Sequence, residues 1–393
     1  MKTLSQSATA PDFVQNPYPF YEAARDAGPL VFWQDYDMPA AMSLDLVSAI
    51  FKNRKFGREV PEEMAPVIPD HVKDFYAVEA HSMLELEPPR HTRLRSLVLR
   101  AFTTRSIAAL EEEIDALCHE LIDTFPEGPF DLLEAYCTQV PIITIARLLG
   151  VPDEMAPQFL AWSHAMVTMY TAGRTRADEE AANTAAREFI EYLTGYIDQR
   201  RQTPSDDLIS RLIAAEEEGE KLSTEELITT CVLLLNAGHE ATVHSMGNGV
   251  KTLLETGLQT NWLAPDAIDQ TVEEILRYDP PLHMFTRYAY EDIEVAGHTF
   301  KRGDQIALML GAANRDPAGW ENPNRFDPTR KIKTNTAFGG GLHFCVGAPL
   351  ARLEMKIALP ILFDRCPDLS LVGTPKYANA YHFHGLERLE VTL

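Results

Sequence analysis

Paired cysteine spacing is absent from this chain: its five cysteines stand at 118, 137, 231, 345 and 366, odd in number and scattered. That excludes a disulfide framework and a close-paired zinc site, and it fits a reducing cytoplasm. Long hydrophobic runs are lacking too. The opening MKTLSQSATAPDF has no apolar segment of signal-peptide length, and stretches such as Cys231 to Leu235 are far too short to span a bilayer. Neither secretion nor a membrane anchor is expected. Basic residues are scarce, 35 Lys plus Arg against 58 Asp plus Glu for a net charge of -23, which argues against nucleic acid and anionic lipid as partners. The chain has no internal repeat, low-complexity tract or interdomain linker.

What is present is ordinary globular material, 45% hydrophobic and 24% charged, enough to bury a large core. Tyr18 to Ala27 reads as a helix stopped by Gly28-Pro29, and strand-like runs at Leu30 to Trp33 and Pro39 to Met42 predict a small sheet. From Thr103 to Arg201 the pattern is almost wholly helical, with Ile107, Leu110, Ile114, Leu117 and Leu121 recurring at three and four residues. Ser223 and Glu226 form a capping box, and helical spacing then continues to Gly257, a helix of ~50 Å at about 1.5 Å per residue. Such a helix crosses a whole domain, which makes Asn236, Gly238, His239 and Glu240 unexpected interior residues. Another helix spans Pro265 to Tyr278, Ile293 to Ala296 and Gln305 to Met309 read as hairpin strands, and a last helix starts at Pro349.

Phe338-Gly339-Gly340-Gly341-Leu342-His343-Phe344-Cys345-Val346-Gly347 sets one thiol in a glycine-rich turn before that last helix. At every fixed position it resembles the haem-ligand motif of the cytochrome P450 superfamily. The resemblance implies haem b as cofactor, Cys345 as its axial thiolate and metal ligand, His343 at a propionate, and Phe338 and Gly339 beside the sulfur. The residue types suit the task. A thiolate on iron pushes electron density that favours O–O cleavage, while glycines let backbone amides approach the sulfur and the following helix points its positive end at it. A lone buried cysteine is more often inert packing; the complete motif outweighs that reading.

Glu274 and Arg277 match the family's Glu-x-x-Arg, which the resemblance ties to Phe326 to Arg330; alone, the pair would read as a solvated ion pair. Haem carries two propionates, so cations must converge on it. His91 and Arg95, one helical face at a spacing of four, together with Arg287 and His343, match the usual partners. Because these positions run from 91 to 345, a single domain over 1–393 is expected. The resemblance implies the P450 fold: mainly α, a triangular helical prism with small β-sheet regions.

Ala237-Gly238-His239-Glu240-Ala241-Thr242 resembles the family's oxygen-activation motif. By that resemblance Ala237 and Gly238 open a groove beside the haem and Glu240 is the acid that assists proton delivery. Ala241 stands where the usual threonine would be, so Thr242 is the candidate replacement alcohol. Gly238 costs roughly 1 kcal/mol against alanine in a helix, which predicts close approach of a ligand. His239-Glu240 with His244 nearly makes the zinc motif His-Glu-x-x-His, but five residues turn a helix about 500° and leave the two histidines about 140° apart.

The resemblance places substrate contacts in the loop from Arg58 to Met83, at Met166, Met169 and Tyr170, at Leu234 and Ala237, at Leu282, His283, Met284 and Phe285, and at Tyr381 to Phe383. That lining suits a small to medium hydrophobic organic molecule. The chain shows no flavin or iron–sulfur module, so electrons are expected from a separate ferredoxin fed by an NAD(P)H-dependent ferredoxin reductase, docking near Arg95, Arg100, Arg352 and Lys356. The leading expectation is a monomeric, cytoplasmic, bacterial-type monooxygenase using O2. A peroxygenase using hydrogen peroxide and a non-catalytic haem protein stay open as alternatives, with Glu240 favouring the first.

Overall fold

Ser223 opens the longest helix as its capping box predicts: its hydroxyl oxygen accepts the Glu226 amide, and the Glu226 carboxylate accepts the Ser223 amide at 2.9 Å. In the computed structural model, which describes residues 1–393 except 172–173, 216–218, 258 and 382, this helix spans Thr224–Thr256 and ends on a left-handed Gly257. Helices Gln139–Leu149, Ala156–Val167, Arg176–Gln202, Ile268–Tyr278 and Ala348–Arg365 pack around it. They share one apolar core that includes Leu94, Tyr136, Phe159, Phe189, Leu235 and Leu359. The helix Arg90–Ala101 joins the same core through Leu94, Val98 and Ala101, buried at helical spacing together with His91.

The stretch expected to be almost wholly helical is more broken than its periodicity suggests. After the helix Glu111–Asp123 comes a two-residue strand, Phe130–Asp131, then a π-type turn at Leu133–Cys137. The strand exists because Glu390 and Val391 pair with it antiparallel, a partner far away in the chain that no local pattern reveals.

The main sheet orders its strands Lys2–Leu4, Leu30–Trp33, Met38–Ala41, Gln305–Met309, Met284–Ala289 and Phe56–Gly57. Pro39 has no N–H to give, and pairing with Gln305–Met309 begins only at Ala40, opposite Ala307. One sequence expectation is corrected here: Ile293–Val295 makes its hairpin with His298–Phe300, whereas Gln305–Met309 lies inside the main sheet. Four of its residues, Ile306 to Met309, are buried on both faces, as a central strand requires. Among the described residues no helix is long and apolar enough to cross a membrane.

Candidate active site

The Gly341–His343 turn delivers Cys345 to the foot of the helix Ala348–Arg365. Its N–H donates to the Phe338 carbonyl at 3.1 Å and closes the loop. Gly341 takes φ +66°, and a Cβ there would fall 1.8 Å from the Phe51 carbonyl oxygen, so no side chain fits. The Cys345 sulfur is open to solvent on one side and enclosed by protein elsewhere. Burial pushes its thiol up, while the nearby Gly347 and Ala348 amides and the charges of Arg95 and Arg352 pull the other way. Arg95 Nη2 donates to the Phe344 carbonyl at 2.6 Å. The Arg352 guanidinium stacks on the Phe338 ring, 4.5 Å from its centroid.

Beside this loop the chain gathers cationic groups with few anions. The rings of His91 and His343 lie 4.4 Å apart, and His343 Nε2 meets Glu87 Oε1 at 2.9 Å. His91 is buried and its Nδ1 has no hydrogen-bond partner among the described residues; burial and the proximity of His343 push its pKa down to about 4. Arg287 is 4% exposed, donates from Nη1 to its neighbour Thr286 O at 2.8 Å, and has no carboxylate within ion-pair distance among the described residues. Burial and nearby Arg58 push it down to about 10. Glu87 feels His343, His91 and Arg287 alike, and Arg95 acts on His91, so the four belong to one electrostatic neighbourhood. A buried guanidinium without a carboxylate is costly. Together with the orphaned His91 nitrogen, it fits a ligand that brings its own carboxylates, as the propionates of haem do.

Glu274 and Arg277 form a buried pair with bonds of 2.7 Å from both Nε and Nη2. Arg277 also donates to the carbonyls of Asn314, Pro323 and Arg325, while Glu274 Oε1 accepts the Asp327 amide and Arg330 Nε. This ties the Ile268–Tyr278 helix to the meander before the cysteine loop.

On the long helix, Leu234, Ala237, Ala241 and His244 share one face, and Ala237 is exposed on it. Two expectations are corrected. A Cβ on Gly238 would meet Ile145 at 3.1 Å, so its bare side serves close packing against the Gln139–Leu149 helix and not a ligand. Thr242, about 40° from Gly238 around the helix, is buried on that same side, turned away from Ala237. The open face therefore carries Ala241 and no hydroxyl at the position of the usual threonine. Glu240 flanks that face: its Oε1 lies 3.2 Å from His164 Nε2 and 3.6 Å from His239 Nε2. Burial opposes its ionisation, but the two histidines outweigh this and hold its carboxyl well below the usual range.

The sequence model of the cytochrome P450 family matches residues 22–256 and 267–367. The chain belongs to the cytochrome P450 family. It is thus an oxygenase of a haem-thiolate family that binds haem b, on the mainly helical P450 fold. Polyketide biosynthesis cytochrome P450 PksS of Bacillus subtilis is 42% identical over 318 residues, covering 79% of this chain and 77% of that protein. The biotin biosynthesis cytochrome P450 of the same organism is 34% identical and covers 99% of both. The solved structure of P450BioI in complex with hexadec-9Z-enoic acid ligated acyl carrier protein matches with a TM-score of 0.90 at 34% identity, over 97% of this chain and 99% of that one.

Not every expected pocket residue of this P450 points one way. Leu282 and Phe383 are bridged through their backbones, and Phe383 faces the His244 ring at 5.8 Å. Phe285 packs on Phe51 beside Gly339. Met166, Met169 and Leu234 are buried in the main core, and Asn236 Nδ2 approaches Met166 Sδ at 3.6 Å. His283 and Met284, by contrast, leave the pocket set: His283 is fully buried against Tyr21, to which it bonds at 2.9 Å, and Met284 packs with Phe13, Tyr21 and Trp33. Tyr381 bonds Tyr21 in that aromatic cluster, and His382 lies outside the described residues. The expected basic patch is smaller as well, since Arg352 pairs with Glu273 and Lys356 with Asp269. Sequence reasoning missed Glu87 and His164; Glu87 stands four residues before His91, a faint signal, and His164 carries none.

Proposed function

We propose that this P450 is a single-domain monooxygenase, residues 1–393, that oxidises a small to medium hydrophobic organic molecule. Cys345 would supply the thiolate that holds haem b, and His91, Arg95, Arg287 and His343 would hold its propionates. The reading rests on one arrangement: Cys345 at the foot of the Ala348–Arg365 helix, together with a buried Arg287 that has no carboxylate within ion-pair distance among the described residues. When bound, haem supplies O2 activation, with one oxygen atom going to substrate and the other to water. Glu240 links solvent to the interior: a proton entering at the exposed His164 passes to Glu240 Oε1 over 3.2 Å, then to water or a polar substrate group, because Ala241 offers no hydroxyl. Relatives named for polyketide biosynthesis and vitamin D(3) 25-hydroxylation, and one complexed with a fatty acyl carrier protein, support the hydrophobic substrate class.

Electrons come from a separate ferredoxin and NAD(P)H-dependent reductase in the cytoplasm. The test uses isotopically labelled O2 with a substrate found by its spin-state shift. One labelled oxygen atom in product, only with ferredoxin, reductase and NAD(P)H present, supports the reading. Equal turnover with hydrogen peroxide alone contradicts it in favour of a peroxygenase.

A further inference from the structure

His239 has one ring nitrogen engaged and one left over: its Nδ1 donates to the Leu235 carbonyl at 2.8 Å. The other nitrogen, Nε2, belongs to a residue 1% exposed, has no hydrogen-bond partner among the described residues, and lies 3.6 Å from Glu240 Oε1. At 3.6 Å the two atoms are too far apart for a hydrogen bond, which leaves room for a cation between them. From a different helix, His164 Nε2 reaches the same oxygen at 3.2 Å, and all three atoms lie within 4.8 Å of one another.

These are the dimensions of a metal site. Ligand atoms about 2.0–2.1 Å from a tetrahedral zinc are about 3.4 Å apart, close to both measured edges. The third edge is no longer than 4.8 Å, and His164, whose side chain is 59% exposed, provides the entry path. The bond from His239 Nδ1 to a backbone carbonyl is the support that metal-bound histidines typically have. We propose that His164, His239 and Glu240 bind one divalent transition-metal ion, Zn2+ fitting best as two nitrogens and one oxygen with an open fourth position. His244 is not a ligand; its Nε2 lies 3.8 Å from the other carboxylate oxygen, Glu240 Oε2. The sequence argument against His239 and His244 as a zinc pair thus holds, and a residue from another helix takes the missing place. Zinc there takes the His164 nitrogen and the Glu240 oxygen of the proposed proton route, so bound metal blocks that route, and it joins the helices Ala156–Val167 and Thr224–Thr256. Binding itself does not depend on Glu240's part in oxygen chemistry.

Holoenzyme equilibrated with zinc chloride, passed through gel filtration and assayed for zinc per haem iron by mass spectrometry tests this directly. The native protein is expected to retain one equivalent, His119→Gln at an unrelated exposed histidine to retain the same, and His164→Gln and the isosteric Glu240→Gln to retain almost none. An unchanged CO-complex band in each variant shows that the haem site is intact. Native protein without zinc, or native zinc content in either His164→Gln or Glu240→Gln, overturns the site.

Discussion

Arg95 donates to the carbonyl of Phe344 at 2.6 Å, so a residue of the Arg90–Ala101 helix fixes the chain one position before Cys345. A hydrogen bond from a charged group contributes about 1.5–3 kcal/mol. Arg95→Leu is therefore expected to release haem to an acceptor globin roughly 10- to 100-fold faster than native protein. Equal release rates would show that the contact does not hold the loop.

Two glycines with left-handed backbones separate conformational cost from steric cost. At Gly128, φ +82°, a Cβ meets nothing within 4 Å, so Gly128→Ala is expected to cost only about 1–2 kcal/mol in a denaturant titration. At Gly341 the same change drives a Cβ into the Phe51 backbone, and no folded holoenzyme should accumulate. Similar midpoints for the two variants would contradict the loop geometry.

Glu79 sets a pH dependence. Burial and nearby Glu85 push its carboxyl up to about 7, against the Tyr170 hydroxyl and Arg58. The native state thus keeps a proton that the unfolded chain releases around 4.5, so this contribution to stability is full below 4.5 and lost as pH rises through about 7. Between about pH 5 and about pH 8 the melting temperature of Glu79→Gln should fall less than that of native protein. Parallel curves would show that Glu79 titrates normally.

Proton delivery through Glu240 predicts that Glu240→Gln lowers the fraction of electrons appearing in product, about 10-fold or more in rate if the group acts as an acid–base catalyst. Ala241→Thr, which restores a hydroxyl on the open face, should be tolerated or improve coupling. Unchanged rate and coupling in Glu240→Gln would send the protons by another route.

The helix Thr224–Thr256 is legible because both of its ends carry their own stop signals, Ser223 with Glu226 and Gly257. The orientation of Thr242 is not, since Ile145 on another helix decides which side of the long helix is closed. The hairpin expected for Gln305–Met309 fails for the same kind of reason: its partners, Met38–Ala41 and Met284–Ala289, are chosen by burial on both faces and not by the nearest turn. The cysteine loop reads directly from its residues because the chemistry is local. His164 could not be read at all, because its meaning arises only where two helices meet.

The central claim is thiolate ligation of haem by Cys345. Its most direct test is the absorption spectrum of the reduced protein with carbon monoxide, native against Cys345→Ser. The native complex is expected to show the red-shifted Soret band of a thiolate-bound haem, and Cys345→Ser to lose it. A native band at the position of an ordinary histidine-bound haem, or a red-shifted band that persists in Cys345→Ser, would contradict the assignment.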